Sequence, residues 1–222
     1  MGLDTSLQRC SVAILRGAEV LGDAAEDMER GHAERLAPMT AGVLARAGVK
    51  LADLDRIGVV VGPGGFTGVR AALAFARGLG LASGVAVAGV TSLAALAAAV
   101  PGEGPVAAVI DARRGQVYAG LYGEGGEIIA PPFVAGAEDA LKTLKEKAGA
   151  APLSLVGSGA GLLGALPAGW KILTGLNAID PCQVARLAAK APPPEGPPPP
   201  LYLRAPDAKP GRPGPLDGIA AG

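Results

Sequence analysis

Three short stretches carry residues whose chemistry goes beyond packing. Leu3-Asp4-Thr5-Ser6 and Ile110-Asp111 each end an apolar run on an aspartate. Two strand-end carboxylates of this kind can orient a metal ion and a water, or simply accept from turn amides. Between them, Val59-Val60-Val61 leads into Gly62-Pro63-Gly64-Gly65-Phe66-Thr67-Gly68-Val69-Arg70. A glycine turn ahead of a helix presents bare amides to an anion. Asp4, Thr5, Gly64, Gly65 and Asp111 are therefore the candidate nucleotide-facing residues. The turn fails both common phosphate motifs. No Lys-Ser/Thr pair follows Gly68, and Thr67 stands where a dinucleotide fingerprint needs its third glycine. A strand-to-helix turn into which only glycine fits is the other reading, with Thr67 as the expected N-cap.

Composition removes several alternatives. One histidine, His32, and two distant cysteines, Cys10 and Cys182, supply no cluster of zinc ligands. The thiols read as free. No serine occupies a nucleophile-elbow sequence, and a hydrolytic triad would rest on His32 alone. Twenty basic residues balance twenty acidic ones, so the chain lacks the basic footprint of a protein that grips nucleic acid alone. Aromatics at 3% are too sparse for a base-stacking platform. Arg70, Arg113 and Arg114 supply only a weak term toward RNA. No apolar run is long enough to span a bilayer. Met1-Gly2-Leu3 runs directly into Asp4 without a signal-peptide pattern. The expected location is cytoplasmic, and whether the natural start lies upstream of Met1 is left open.

The surrounding elements set the frame. Residues 3–6, 11–15 and 19–26 read as an antiparallel meander whose first strand is short. A helix opens near Gly31-His32-Ala33 and runs to Ala47 before Gly48, with Leu36, Met39, Val43 and Leu44 in helical register. Pro38 either starts this helix or kinks it. Residues 57–61 form a strand buried on both faces. A helix follows the glycine turn to Leu81, with Val69, Leu73, Ala76 and Leu79 on one face. Residues 85–90 read as a strand, and Thr91-Ser92 cap an alanine-rich helix to Val100. Pro101-Gly102-Glu103-Gly104-Pro105 marks a boundary. Beyond it the opening theme returns, with a strand at 106–111, a turn at Arg113-Arg114-Gly115 and a return strand at 116–122, which points to internal duplication. An edge strand at 128–134, helices at 138–148 and 161–166, and a strand at 153–156 follow. The last helix has Asp180 as N-cap and Pro181 at its first position. Eleven of the twenty prolines follow Lys190, so this stretch reads as a stiff linker. Leu201-Tyr202-Leu203-Arg204 is expected to dock back, and the end from Lys209 to be disordered.

Taken together, these blocks resemble the TsaB (YeaZ) family. The carrying motifs are Leu3-Asp4-Thr5-Ser6 with Cys10-Ser11-Val12-Ala13, Gly31-His32-Ala33-Glu34-Arg35-Leu36 with Pro38-Met39, and the block from Val61 through the glycine turn to Arg70. Thr91-Ser92-Leu93, the block from Ile110-Asp111-Ala112-Arg113 to Tyr118, and Pro200-Leu201-Tyr202-Leu203-Arg204 with Asp207-Ala208-Lys209 complete them. The resemblance implies an α/β, actin-like ATPase (ASKHA, ribonuclease H-like) fold of two duplicated lobes. The expected division is 1–104, 105–191 and a proline-rich segment 192–222, with 201–208 docked back.

It further implies a non-catalytic scaffold. Such a chain dimerises with TsaD, supports threonylcarbamoyl transfer to adenosine in tRNA together with the ATPase TsaE, and forms a homodimer when alone. ATP and metal are then expected on the partner subunits, with no cofactor on this chain and tRNA met through the complex. The expected partner face comprises His32, Arg35, Leu36, Met39, Val43, Arg70, Leu73 and Arg77, with small residues Ala71, Ala72, Ala74, Ala76, Gly78 and Gly80 admitting a helix closely. The alternative is a nucleotide-binding ATPase or kinase of the same fold.

Overall fold

The computed structural model describes residues 1–102 and 104–204. The first half is a meander of β1 (Gly2–Leu7), β2 (Arg9–Arg16) and β3 (Glu19–Asp27), followed by α1 (His32–Ala47), β4 (Arg56–Gly62), α2 (Phe66–Ser83) and β5 (Ala86–Thr91). Its sheet order is β3-β2-β1-β4-β5. β1 runs antiparallel to β2, with Asp4 opposite Ser11, and parallel to β4, with Gly2 opposite Gly58. After α3 (Ser92–Ala98) the second half repeats the plan. β6 (Val106–Arg113), β7 (Gln116–Tyr122) and β8 (Ile128–Gly136) form the meander, followed by α4 (Ala137–Ala148), β9 (Leu153–Val156) and β10 (Trp170–Ile172). The order β10-β9-β6-β7-β8 is the first sheet's order strand for strand, with β6 antiparallel to β7 and parallel to β9. The duplication inferred from two aspartate hairpins is thus a duplication of topology, and the fold is an α/β arrangement of two matching five-stranded sheets.

Burial explains the valine run. Val59 and Val61 join the core beneath α1 and α2, whereas Val60 joins a second core with residues of α3 and of α5 (Pro181–Lys190). A strand covered on both faces has no use for polar alternation. α5 follows the second sheet in sequence but lies on the first. Its docking requires bare strand positions. A Cβ on Gly2 would stand 2.2 Å from the Pro181 carbonyl oxygen, and one on Gly58 would stand 2.6 Å from the Ala188 methyl. The second core also draws Val106, Ala108 and Ile110 from the second sheet, so it is shared between the halves.

Several local expectations need correction. β1 extends to Leu7, so Asp4 lies within the strand rather than at its end; the ladder continues past a register shift to Leu7 opposite Arg9. Of the two positions open to Pro38, the structure takes the one inside α1 and not the one at its start. Thr67 does not cap α2. Gly65 holds that position, and no side chain caps the helix, because the Gly65 amide donates to the Ser6 carbonyl (2.7 Å) and turns the chain two residues earlier. Residues 161–166 hold only a 3-10 turn, Ala160–Leu163. β10 has three residues, too few for any periodicity to show. β8 is an edge strand, as Pro131-Pro132 requires, and a register shift falls opposite them. Thr91 and Asp180 cap α3 and α5 as expected, accepting from the Ala94 and Cys182 amides. The expectation for the segment from Lys209 lies outside the described residues.

Two glycines of α2 make opposite demands. A Cβ on Gly68 would fall 1.9 Å from the Thr5 carbonyl oxygen, whereas one on Gly78 meets nothing within 4 Å. In urea denaturation, Gly68→Ala is expected to destabilise by about 3 kcal/mol through overpacking. Gly78→Ala is expected to stabilise by about 1 kcal/mol through helix propensity. Equal effects of the two would contradict the described contact.

Candidate partner-docking site

Four of the five candidate nucleotide-facing residues, Asp4, Thr5, Gly64 and Gly65, come together in the first half, where the glycine turn packs on the backbone of β1. Gly64 and Gly68 press against the Ser6 and Thr5 carbonyls, which stand 2.3 and 1.9 Å from where their Cβ atoms would be. The Gly65 amide is committed to Ser6, and the Thr5 hydroxyl donates to the Gly68 carbonyl (2.7 Å). Asp4 is fully buried, its Oδ1 accepting from the Ser6 amide at 2.8 Å. Asp4 Oδ2 and the hydroxyls of Ser6 and Ser11 have no hydrogen-bond partner among the described residues. Burial pushes the Asp4 carboxyl up to about 6, against the weaker pull of the hydrogen bond from the Ser6 amide. Asp111 holds the equivalent place in the second half and accepts from the Arg113 amide (2.7 Å), but its side chain is 28% exposed. The two aspartates therefore share a backbone pattern and differ in access. Among the described residues no group of three His, Cys, Asp or Glu stands close enough to share a metal ion. Burial raises both thiols to about 11, so neither is a ready nucleophile.

The expected partner face divides on burial. Leu36, Met39, Val43 and Leu73 belong to the first core, so these four are corrected from interface to interior. Their helical periodicity marks the face turned to the protein's own sheet. His32 is half-buried, its Nε2 within 3.1 Å of the Leu7 carbonyl. Arg35 is exposed and pairs with Glu26 at 2.6 Å. Arg77 donates to the Pro198 carbonyl (2.7 Å) beneath the C-terminal segment. Arg70 is exposed. Of the small residues, Ala72 and Ala76 are buried, and Gly80 faces Val87, whose Cγ2 stands 2.7 Å from where its Cβ would be.

What α1 and α2 turn outward are two rows at four-residue spacing. Ala33, Ala37, Ala41 and Ala45 form one, and Phe66, Arg70, Ala74, Gly78 and Ala82 the other, all exposed. Leu81 flanks the second row and is 88% exposed. Rows at i±4 are the ridges by which helices most often pack on one another, and side chains this small let a second backbone approach closely. Phe66 and the alanines of α1 went unrecognised in the sequence, although the spacing of four was there to find.

Comparison with known proteins agrees with this architecture. The family model for TsaD, the tRNA N6-adenosine threonylcarbamoyltransferase, matches residues 21–160. A solved structure of YeaZ from Pseudomonas aeruginosa superposes with a TM-score of 0.73 at 35% identity, covering 84% of this chain and 88% of that one. The chain belongs to the TsaB (YeaZ) family. A second Pseudomonas aeruginosa structure, an uncharacterized protein with similarity to peptidase YeaZ, gives a TM-score of 0.75 at 32% identity over 91% of this chain and 97% of its own. An uncharacterized protein of Mycobacterium tuberculosis is 36% identical over 216 residues, 95% of this chain and 93% of that protein. The tRNA threonylcarbamoyladenosine biosynthesis protein TsaB of Escherichia coli is 35% identical over 125 residues, 55% of this chain and 54% of its own length.

The buried aspartate makes stability depend on pH. Its folded pKa of about 6 lies above the ordinary 3.8, so the folded state holds the proton more tightly between these values. Stability therefore falls as pH rises from about 4 to about 6, by about 3 kcal/mol at 1.36 kcal/mol per unit. Asp4→Asn keeps the acceptor for the Ser6 amide and removes the ionisation. Urea denaturation at pH 4 and pH 7 is expected to show the variant gaining on the wild type by about that amount between the two. Parallel curves would show that Asp4 does not titrate this way.

Proposed function

We propose that this chain is the non-catalytic scaffold subunit of a complex that forms threonylcarbamoyladenosine in tRNA, and that it docks a TsaD-like transferase subunit through the outward face of α1 and α2. The observation that carries the reading is the pair of exposed four-residue rows, Ala33 to Ala45 and Phe66 to Ala82. Exposed ridges built mostly of alanine and glycine suit a second helix pair. The Escherichia coli relative, a tRNA threonylcarbamoyladenosine biosynthesis protein, supplies the pathway. In this reading a TsaE-like ATPase joins the pair, tRNA is met through the whole complex, and ATP and metal belong to the partner subunits. Alone, the chain covers the same face in a homodimer.

The scaffold role, rather than a nucleotide-dependent reaction on this chain, is supported by the closed glycine turn. A phosphate seeking the Gly65 amide meets the Ser6 carbonyl already bound there, and Asp4 is sealed from any metal-bound water. No helix among the described residues is long and apolar enough to cross a membrane, in keeping with work beside tRNA in the cytoplasm.

The test is reconstitution with the TsaD-like and TsaE-like proteins of the same genome. The wild-type chain is expected to co-elute with the transferase subunit on size exclusion and to be required for modification of a tRNA transcript. Ala37→Arg and Ala74→Arg place long charged side chains on exposed helix sites where arginine is nearly as good a helix former as alanine. Both are expected to fold normally, to lose the complex and to lower modification at least about tenfold, the effect of about 1.4 kcal/mol. Modification that proceeds equally well without the chain overturns the reading.

A further inference from the structure

The proline-rich segment returns to the body of the protein as a strap. Pro198 packs on β5, its Cβ 2.9 Å from where Gly89 would carry one, and its carbonyl accepts from Arg77. The Leu201 amide donates to the Val61 carbonyl at 2.8 Å, at the entrance to the glycine turn. Tyr202 then stacks on Phe66, with ring centroids 5.4 Å apart and planes at 28°. Arg70 locks the pair: its guanidinium carbon lies 3.7 Å over the Phe66 ring, and its Nε donates to the Tyr202 hydroxyl at 2.7 Å. Two residues on, Arg204 donates to the Gln116 side chain at the start of β7.

This cluster is built, and it faces solvent. The chain has seven aromatic residues, three Phe, three Tyr and one Trp. Two of them stand side by side at the surface, Phe66 49% and Tyr202 42% exposed. Rigid, half-exposed aromatic rings with an arginine are the composition of interface hot spots, and fixing them beforehand removes the ordering cost of binding. Arg70 forms no ion pair among the described residues, unlike Arg9, Arg35 and Arg113, which pair with Asp27, Glu26 and Asp111. The complement of such a cluster is a carboxylate flanked by apolar side chains, which a guanidinium binds through charge-assisted hydrogen bonds. The cluster also opens the Phe66 to Ala82 row, so it is continuous with the outward face of α2.

We propose that the strap is part of the docking surface: Tyr202, with Phe66 and Arg70, anchors the partner subunit, which sets a carboxylate and its apolar neighbours against them. This rests on the reading of the α1/α2 face given above. Nucleic acid fits the cluster less well. The two rings already stack on one another, and among the described residues of the cluster Arg77 and Arg204 are committed to Pro198 and Gln116, which leaves the Arg70 guanidinium, and one guanidinium gives little hold on a phosphate backbone.

The experiment is calorimetric titration of the TsaD-like subunit with wild type, Tyr202→Ala, Tyr202→Phe, Phe66→Ala, Arg70→Gln and Ala74→Arg, each checked for unchanged melting. Phe66→Ala leaves the strap's backbone bonds intact and so serves if Tyr202→Ala loosens the strap. Tyr202→Ala and Phe66→Ala are expected to weaken binding about thirtyfold, and Tyr202→Phe less than about threefold. Arg70→Gln is expected to reduce the salt dependence of Kd. If Ala74→Arg abolishes binding while the two alanine variants bind like wild type, the strap inference falls and the helix face stands. If Ala74→Arg also binds normally, or if the wild type does not bind, the reading of the face falls and the strap inference with it. If the alanine variants bind the subunit normally but weaken retention of a tRNA transcript by the assembled complex, the cluster is an RNA contact and the proposal is overturned.

Discussion

The end of β1 lies so close to the glycine turn that no side chain fits between them. The Thr5 carbonyl oxygen occupies the space of a Gly68 Cβ, the Ser6 carbonyl that of a Gly64 Cβ, and the Gly65 amide closes the contact. This approach sets where α2 leaves the sheet, and with it which of its residues face the core and which face outward. The second half solves the same problem in the same way. A Cβ on Gly157 would stand 2.3 Å from the Val109 carbonyl oxygen, and the Gly159 amide donates to that oxygen at 2.9 Å. A turn that presents amides to a phosphate in principle here presents one of them to the chain's own backbone, twice.

The two halves nevertheless differ where chemistry would begin. Asp4 and Asp111 each accept from the amide two residues on, yet Asp4 is sealed and Asp111 is partly open. Sealing a carboxylate raises its proton affinity because the charged form loses its hydration. The three unpaired polar atoms around Asp4, Ser6 and Ser11 are a cost within the first core.

Two returning segments hold the halves together. α5 crosses back to the first sheet on the bare strand positions Gly2 and Gly58, and Arg56 ties its end by donating to the Ala188 carbonyl at 2.9 Å. The strap then runs from β5 past the glycine turn to β7. The outward face of α2 is thus bounded at one end by residues far away in sequence.

Much of the plan was legible from local pattern alone. The valine run marked a strand buried on both faces, the alternation of turns marked two meanders, and Asp180-Pro181 marked a helix start, because period, capping chemistry and proline geometry act over a few neighbouring residues. The family motifs fixed the architecture. Tertiary structure alone decided which apolar side chains are core and which are surface. The periodicity of Leu36, Met39, Val43 and Leu73 shows that their helices have an apolar face, but not whether that face meets the protein's own sheet or a partner. It also decided that the glycine turn receives the end of β1, since the sequence records that glycine is present and not what comes near it. Finally, it brought Tyr202 to Phe66 and Arg70, more than 130 positions away. No local rule carries such a contact, because the prolines before Tyr202 set the stiffness of the segment and not the surface against which it comes to rest.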